Sequence, residues 1–161
     1  VADAENIPYP DNNFDLVYSW GVIHHSPNTI KALSEIIRVV KPGGKCKIMV
    51  YNKNSIQSVT MYLKYGLLKL RPFRSLEDIY FQHQESIGTK VYTKSKIIKI
   101  LSSFPIENLD INAPLKPREL YSPKSSSVVR MYRFFLRQIA RFTDYFNSGV
   151  FLKIEFDKKR V

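Results

Sequence analysis

The chain has 161 residues, 44% of them hydrophobic and 13% aromatic, which is enough for one core and excludes a disordered polymer. Lys and Arg number 25 against 14 Asp and Glu, a formal charge of +11 that directs attention to anionic partners. The single cysteine, Cys46, excludes a disulfide framework and a cysteine-based metal site, no apolar run reaches transmembrane length, and residues 1–5 lack the order of a signal peptide, so a reducing cytoplasm is the expected location.

In chain order, Phe14 to Trp20 is a short apolar run rich in strand formers, and Lys45 to Tyr51 is another. Between them Ile30, Leu33, Ile36, Ile37 and Val40 recur at helical spacing, so Asn28 to Val40 is predicted as a helix. Lys41-Pro42-Gly43-Gly44 stops it and turns the chain. The unit is a strand, helix, strand crossover with parallel strands. Open parallel sheets bind ligands beyond the carboxyl ends of their strands, which places Ser19-Trp20-Gly21-Val22-Ile23-His24-His25 at a ligand crevice. The dinucleotide fingerprint G-x-G-x-x-G is absent from the sequence. Glu35 and Arg38, three apart on the helix, are placed to pair with each other or with neighbours.

Beyond Tyr51, Ile56, Val59, Tyr62, Leu63, Leu67 and Leu70 predict a second helix, ended by Pro72, whose far end carries Lys64, Lys69, Arg71 and Arg74. Ser75 to Thr93 shows no clear period. A helix is expected to begin near Thr93 and to run through Ile97, Ile98, Ile100 and Leu101, followed by a strand from Ile106 to Ala113 with imperfect alternation. Pro114, Pro117 and Pro123 mark a long connection, and Val150 to Asp157 alternates as a last strand. Between these lies a helix over 124–147. Placed at helical angles, Arg130, Arg133, Arg137 and Arg141 share a narrow arc, and Val128, Met131, Tyr132, Phe135, Ile139, Phe142 and Phe146 gather opposite. Such a helix either packs on the sheet with solvated arginines or lies on an anionic membrane surface, which would make the protein peripheral at the membrane.

Asp3-Ala4, Pro8-Tyr9-Pro10, Phe14-Asp15-Leu16-Val17, His24-His25, and Glu35 through Arg38 to Gly44 form an ordered set. In that order they resemble the second half of class I, Rossmann-like, S-adenosylmethionine-dependent methyltransferases. The close resemblance covers about the first third of the chain, and a looser one runs from Tyr51 to Phe104. It implies an α/β fold with a partial Rossmann-like methyltransferase sheet, parallel strands plus an antiparallel last strand, and the helices of 56–95 as a substrate-side insertion. It implies S-adenosyl-L-methionine as cofactor. The family's Gly-rich first loop and the acidic residue after its second strand have no counterpart here, so the chain is expected to be the C-terminal portion of a longer enzyme, 1–161 being one domain portion that is inactive alone.

By the same resemblance Asp3 accepts a hydrogen bond from the adenine amino group, a backbone amide beside Ala4 reads a ring nitrogen, and Ser19, Trp20 and Gly21 line the cofactor. Trp20 serves equally well as a core aromatic. His25 is the candidate catalytic base, since a neutral imidazole with pKa near ~6.5 can take a proton from a nucleophile, although alignment alone can suffice for methyl transfer. Adjacent side chains diverge, so one of the two histidines packs or caps the next helix. His24, His83, Glu85 and Tyr92 are substrate-side candidates, each also readable as a loop or core residue. No metal site is expected, because the three histidines lack ligand spacing.

The expected function is methyl transfer to a small-molecule or lipid-like acceptor. One alternative is a degenerate, non-catalytic module that binds an anionic membrane or a partner through Arg130, Arg133, Arg137 and Arg141. RNA methylation is a further alternative, weakened because Ser19-Trp20-Gly21-Val22 stands where many base-methylating enzymes carry Asn/Asp-Pro-Pro-Tyr/Phe.

Overall fold

The computed structural model describes residues 2–83, 88–114, 130, 131, 134 and 149–160. Its frame is a sheet in the order β1 (Phe14–Trp20), β2 (Val40–Asn52), β5 (Phe151–Lys158), β4 (Ile106–Asn112), with the two-residue β3 (Val91–Tyr92) also pairing with β2. β1 and β2 run parallel, as the crossover predicts. β5 is antiparallel to both β2 and β4, so the last strand in sequence lies between two earlier ones.

The crossover helix α1 (Thr29–Val39) starts where Asn28 Oδ1 accepts the Lys31 amide, a side-chain cap for an otherwise unpaired donor. It buries Thr29, Ala32, Leu33, Ile36, Ile37 and Val39. Ile30, counted in the apolar stripe from spacing alone, is exposed, and Ala32, about half a turn round from it, is buried beside Leu33 and Ile36. At the other end Lys158 Nζ donates to the Arg38 and Val40 carbonyls at 3.3 and 2.9 Å, a cation satisfying the last carbonyls of the helix.

β2 starts at Val40, earlier than the predicted Lys45. Phe14 pairs with Val40 but Leu16 with Lys45, so Lys41 to Gly44 form a bulge inside the strand. The two glycines serve different needs there. Gly43 has φ of +76°, a left-handed conformation. Gly44 has no room for a side chain: a Cβ would sit 2.9 Å from the Lys41 carbonyl oxygen and 3.0 Å from that of Asp15. Gly43→Ala is therefore expected to cost about 1 kcal/mol through φ, since the nearest atoms are those of the flexible Arg160 side chain. Gly44→Ala should cost more because backbone must move, and urea unfolding of both variants checks the order.

The principal core lies under one face of the sheet. There Cys46, Ile48, Val50, Leu152, Ile154 and Phe156 meet Leu33, Ile36 and Ile37 of α1 and Ile97 and Leu101 of α4 (Lys94–Leu101). α4 is capped by Thr93, whose side chain accepts the Lys96 amide. On the opposite face β2 and β5 are joined by the directly opposed ion pairs Lys45–Asp157 and Lys47–Glu155. That face becomes apolar toward the carboxyl end of β2, where Tyr51, Val150 and Phe151 pack with Leu76 and Tyr80.

Leu76 and Tyr80 belong to α3 (Leu76–His83), a helix that lies where the sequence shows no clear period. The predicted long helix after Tyr51 is shorter than expected. α2 (Ile56–Tyr62) passes into one π-helical turn, Leu63–Leu67, and the chain leaves it through Leu70 at φ +55°. The imperfect alternation of β4 has a cause as well: a bulge between Glu107 and Asp110, with Asn108 at φ +53°. Of the predicted basic helix, Arg130, Met131 and Phe134 are helical and exposed, whereas Arg133, Arg137 and Arg141 lie outside the described residues. Among the described residues no helix is long and apolar enough to cross a membrane.

Candidate active site

The carboxyl end of β1 leads into Gly21, at φ +73°, and a turn in which the His25 and Ser26 amides donate to the Val22 and Ile23 carbonyls. A Cβ on Gly21 would meet only ordinary contacts, Met49 Cε at 3.5 Å and His24 Cε1 at 3.9 Å, so the glycine is required by backbone conformation and not by space. The turn throws His24 inward and leaves His25 half-buried. His24 is 1% exposed, stands edge-on to Tyr51 at 4.9 Å, and offers two ring nitrogens that find no hydrogen-bond partner among the described residues. Burial, helped by the His25 ring beside it, lowers its pKa to about 4. His24 is thus the packed member of the pair.

His25 is held from the segment 64 residues later: Thr89 Oγ1 lies 3.0 Å from His25 Nδ1. The same segment fixes the turn's backbone, with the Lys90 amide donating to the His24 carbonyl and Lys90 Nζ to the Ser26 and Pro27 carbonyls. Thr89 and Lys90 had no signal of their own in the sequence beyond belonging to the HQESIGTKVYT segment. Tyr92, two residues on, is buried, and its hydroxyl donates to Thr29 Oγ1. Burial raises its pKa, so it stands as a neutral donor in the floor beneath the histidine turn. His83 stacks on Tyr65 at 3.7 Å, at the far end of α3 and remote in sequence from the turn. Its pKa is lowered by burial and then by Arg74, Lys64 and Lys69. Glu85 lies outside the described residues.

Asp3 sits in a tight turn, its Oδ1 accepting the Glu5 amide at 2.8 Å. Two anchors tie this turn to the crevice. Glu5 Oε1 accepts from the Ser26 hydroxyl and the Asn28 amide, joining the turn to the start of α1. Farther along, Glu35 Oε2 accepts the Ile7 amide, and Arg38 donates to the Ile7 and Tyr9 carbonyls and to Asp11. Glu35 and Arg38 do pair with each other, at 2.8 Å, but their joint effect is to clamp the loop that carries Asp3. Arg38 holds the Glu35 carboxyl down to about 2. Arg38→Ala should therefore leave α1 folded while loosening residues 7–11. Faster amide hydrogen exchange in that loop, with α1 protection retained, is the expected reading.

Trp20 is 42% exposed and stacked on Tyr18 at 5.3 Å, on the sheet face opposite the principal core. Ser19, on the core side, is buried, and its Oγ has no hydrogen-bond partner among the described residues. Among the described residues no group of His, Cys, Asp and Glu could hold a metal. Cys46 is buried in β2, its thiol pushed up to about 12 by burial, a state without nucleophilic character.

Residues 1–48 match the family model for a methyltransferase domain. Among curated proteins, the ubiquinone/menaquinone biosynthesis C-methyltransferase UbiE of Cupriavidus necator is 45% identical over 53 residues, 33% of this chain and 22% of that protein. Phosphoethanolamine N-methyltransferase 2 of Caenorhabditis elegans is 33% identical over 79 residues, 49% of this chain and 18% of that protein. The fold comparison extends over nearly the whole chain. A methyltransferase structure from Thermotoga maritima superposes with a TM-score of 0.62 at 17% identity, covering 97% of this chain and 61% of that one. Residues 1–48 resemble a methyltransferase domain, and the chain as a whole has the fold of class I, Rossmann-like methyltransferases. One from Archaeoglobus fulgidus gives 0.59 at 15% identity over 98% and 66% of the two chains. The matches to the curated relatives span about a fifth of those proteins' length.

The methyltransferase likeness of residues 1–48 implies S-adenosyl-L-methionine, and the crevice can be tested against it. The orphaned Ser19 hydroxyl lies at the strand end where a polar ligand would supply its missing partner. Asp3 is an exposed carboxylate able to accept from an exocyclic amine, and Ala4 and Gly21 are small enough to let a ring approach backbone. These residues fit the adenosyl part of the cofactor.

Proposed function

We propose that the chain contributes the adenine edge and the acceptor side of an S-adenosylmethionine-dependent methyl transfer to a small-molecule or lipid-like acceptor. The observation that supports this acceptor class is an apolar groove beside the carboxyl end of β2, lined by Val59, Tyr62, Leu63 and Leu76, with Lys53 and Asn54 at its polar rim. It is formed by the helical insertion between β2 and β3. An apolar groove with a few polar groups at one end suits an acceptor with a hydrocarbon body.

When bound, the cofactor supplies an electrophilic methyl group on a sulfonium. The chain's own residues bind and orient: Asp3, Ala4, Ser19, Trp20 and Gly21 would hold the adenosyl group, with Asp3 kept in place by the Glu5 anchor and the Glu35–Arg38 clamp. His25 is the candidate base. Its ring is steadied by Thr89 at Nδ1 and would take a proton from a hydroxyl or amine nucleophile as the transfer proceeds. The stripe of Arg130, Arg133, Arg137 and Arg141 expected from the sequence over 124–147 remains one proposed contact to an anionic membrane.

Transfer of a labelled methyl group from S-adenosylmethionine to candidate quinone, amine and lipid acceptors tests the reading, together with ligand-observed NMR of cofactor binding. Labelled product that His25→Ala lowers without loss of cofactor binding supports it. If the whole protein that carries this chain neither binds the cofactor nor transfers methyl, the non-catalytic module is favoured.

A further inference from the structure

The segment from Leu63 to Arg74 has a surface that the methyl-transfer reading leaves unexplained. Leu68 is 76% exposed, Leu70 90%, and Phe73 fully so, three large apolar side chains in a stretch of six residues. Lys64, Lys69, Arg71 and Arg74 are interleaved with them, no acidic residue occurs anywhere from Lys53 to Leu76, and none of the four cations is in an ion pair among the described residues.

This tip is built and held. The Leu68 amide donates to the Leu63 carbonyl across the π-turn, the Arg71 amide to the Gly66 carbonyl, and the Tyr62 hydroxyl to the Pro72 carbonyl. Gly66 lies under the Tyr62 ring, where a Cβ would sit 3.3 Å from two ring carbons.

Leu70 carries the argument furthest. It holds φ of +55°, a conformation in which a leucine is strained and glycine is not, and its side chain touches little of the protein. The left-handed φ belongs to the turn that ends the helix, where the Arg71 amide donates to the Gly66 carbonyl and the Leu70 amide to the Leu67 carbonyl; glycine is the usual residue there, and the fold does not call for an exposed leucine in its place. A single exposed leucine would be unremarkable as a surface residue. Here the strained leucine, its exposed neighbours and the unpaired cations coincide.

We propose that residues 63–74 dock the protein onto an anionic phospholipid bilayer, with Leu68, Leu70 and Phe73 entering the acyl boundary and Lys64, Lys69, Arg71 and Arg74 at the headgroups. Leucine and phenylalanine among cations, with no acid within the segment itself, is the chemistry of an interfacial segment. Leu63 lines both the tip and the apolar groove, so docking would bring the groove's mouth to the bilayer. The docking stands on this surface alone; only its use in receiving a lipid-like acceptor rests on the methyl-transfer reading.

The test is co-sedimentation of the full chain with phosphatidylcholine vesicles, with and without phosphatidylglycerol, at low and physiological salt. Binding is expected only to the anionic vesicles and should weaken with salt. Lys69→Gln/Arg71→Gln/Arg74→Gln should lower the vesicle partition coefficient by about a hundredfold. Leu70→Gly should leave the melting temperature unchanged or higher, since strain is relieved, yet reduce partitioning roughly tenfold. A polarity-sensitive fluorophore on Phe73→Cys should shift to the blue on anionic vesicles, and labelling is selective because Cys46 is buried.

Absence of vesicle binding overturns the proposal. So does binding that survives both variants but is lost in Arg130→Gln/Arg133→Gln/Arg137→Gln/Arg141→Gln, which would give the contact to helix 124–147. Loss in the charge variant alone, with no fluorophore shift, would describe a purely electrostatic surface such as one for RNA. A dimer that Leu70→Gly dissociates would assign the leucine to a second copy. None of these outcomes depends on whether methyl transfer is detected.

Discussion

Between pH 6.5 and pH 4 the wild-type chain should lose up to about 3 kcal/mol of stability that a His24→Phe variant keeps. Folded His24 has a pKa of about 4 against an ordinary 6.5, so in this window the unfolded chain binds a proton that the folded chain refuses. The contribution is fully present above pH 6.5, falls as pH drops, and is exhausted near pH 4. The cause is burial: the ring is 1% exposed, and the nearby Met49 backbone offsets only part of the lost hydration of a cation. Phenylalanine of similar shape removes both the proton and the unpaired polar atoms, so at pH 7.5 the variant should be no less stable than the wild type. Urea midpoints at half-unit pH intervals check it, the difference between the two chains cancelling the contributions of His83, Glu35 and Asp157. Parallel pH profiles would mean that His24 is hydrated in solution.

Asp3→Ala is expected to weaken S-adenosylmethionine binding by ~1.5–3 kcal/mol, roughly ten- to over a hundredfold in Kd, the range of a hydrogen bond to a charged group. The folded chain should hardly notice the change. Asp3 is exposed, and the one hydrogen bond of its carboxylate among the described residues, from the Glu5 amide, is a local turn contact. Asp3→Asn, which keeps an acceptor but loses the charge, should fall between. Competition by ligand-observed NMR suits the measurement, because it reads weak as well as tight affinities. An Asp3→Ala chain that binds the cofactor as well as the wild type would place the adenine elsewhere.

What was legible in the sequence follows the range over which each signal acts. β1, α1, α4 and β5 are written in periodicities of two or 3.6 residues, and local patterns fix them to within a residue or two. α3 escaped because its apolar residues Leu76, Ile79, Tyr80 and the exposed Phe81 make no clean helical stripe, and its partners Tyr51 and Phe151 are distant in sequence. The bulge at Gly43-Gly44 read as a simple turn, since φ does not show in a residue name and the Asp15 carbonyl that crowds Gly44 comes from another strand. For the site, the ordered motifs marked the strand end and the histidine pair. They could not reveal that Arg38 reaches carbonyls 29 and 31 residues back, or that Thr89 reaches His25 across 64. Contacts of that kind are properties of the fold, whatever local pattern surrounds each partner.

Cys46 gives the fold its own clock. It is the only thiol in the chain, it lies at the middle of the central strand β2 with β1 on one side and β5 on the other, and it is fully buried. A thiol reagent added to the native protein can reach it only when that strand is uncovered. The labelling rate would then count openings of the principal core one by one, whether α1 and α4 lift from the sheet or β1 or β5 parts from β2.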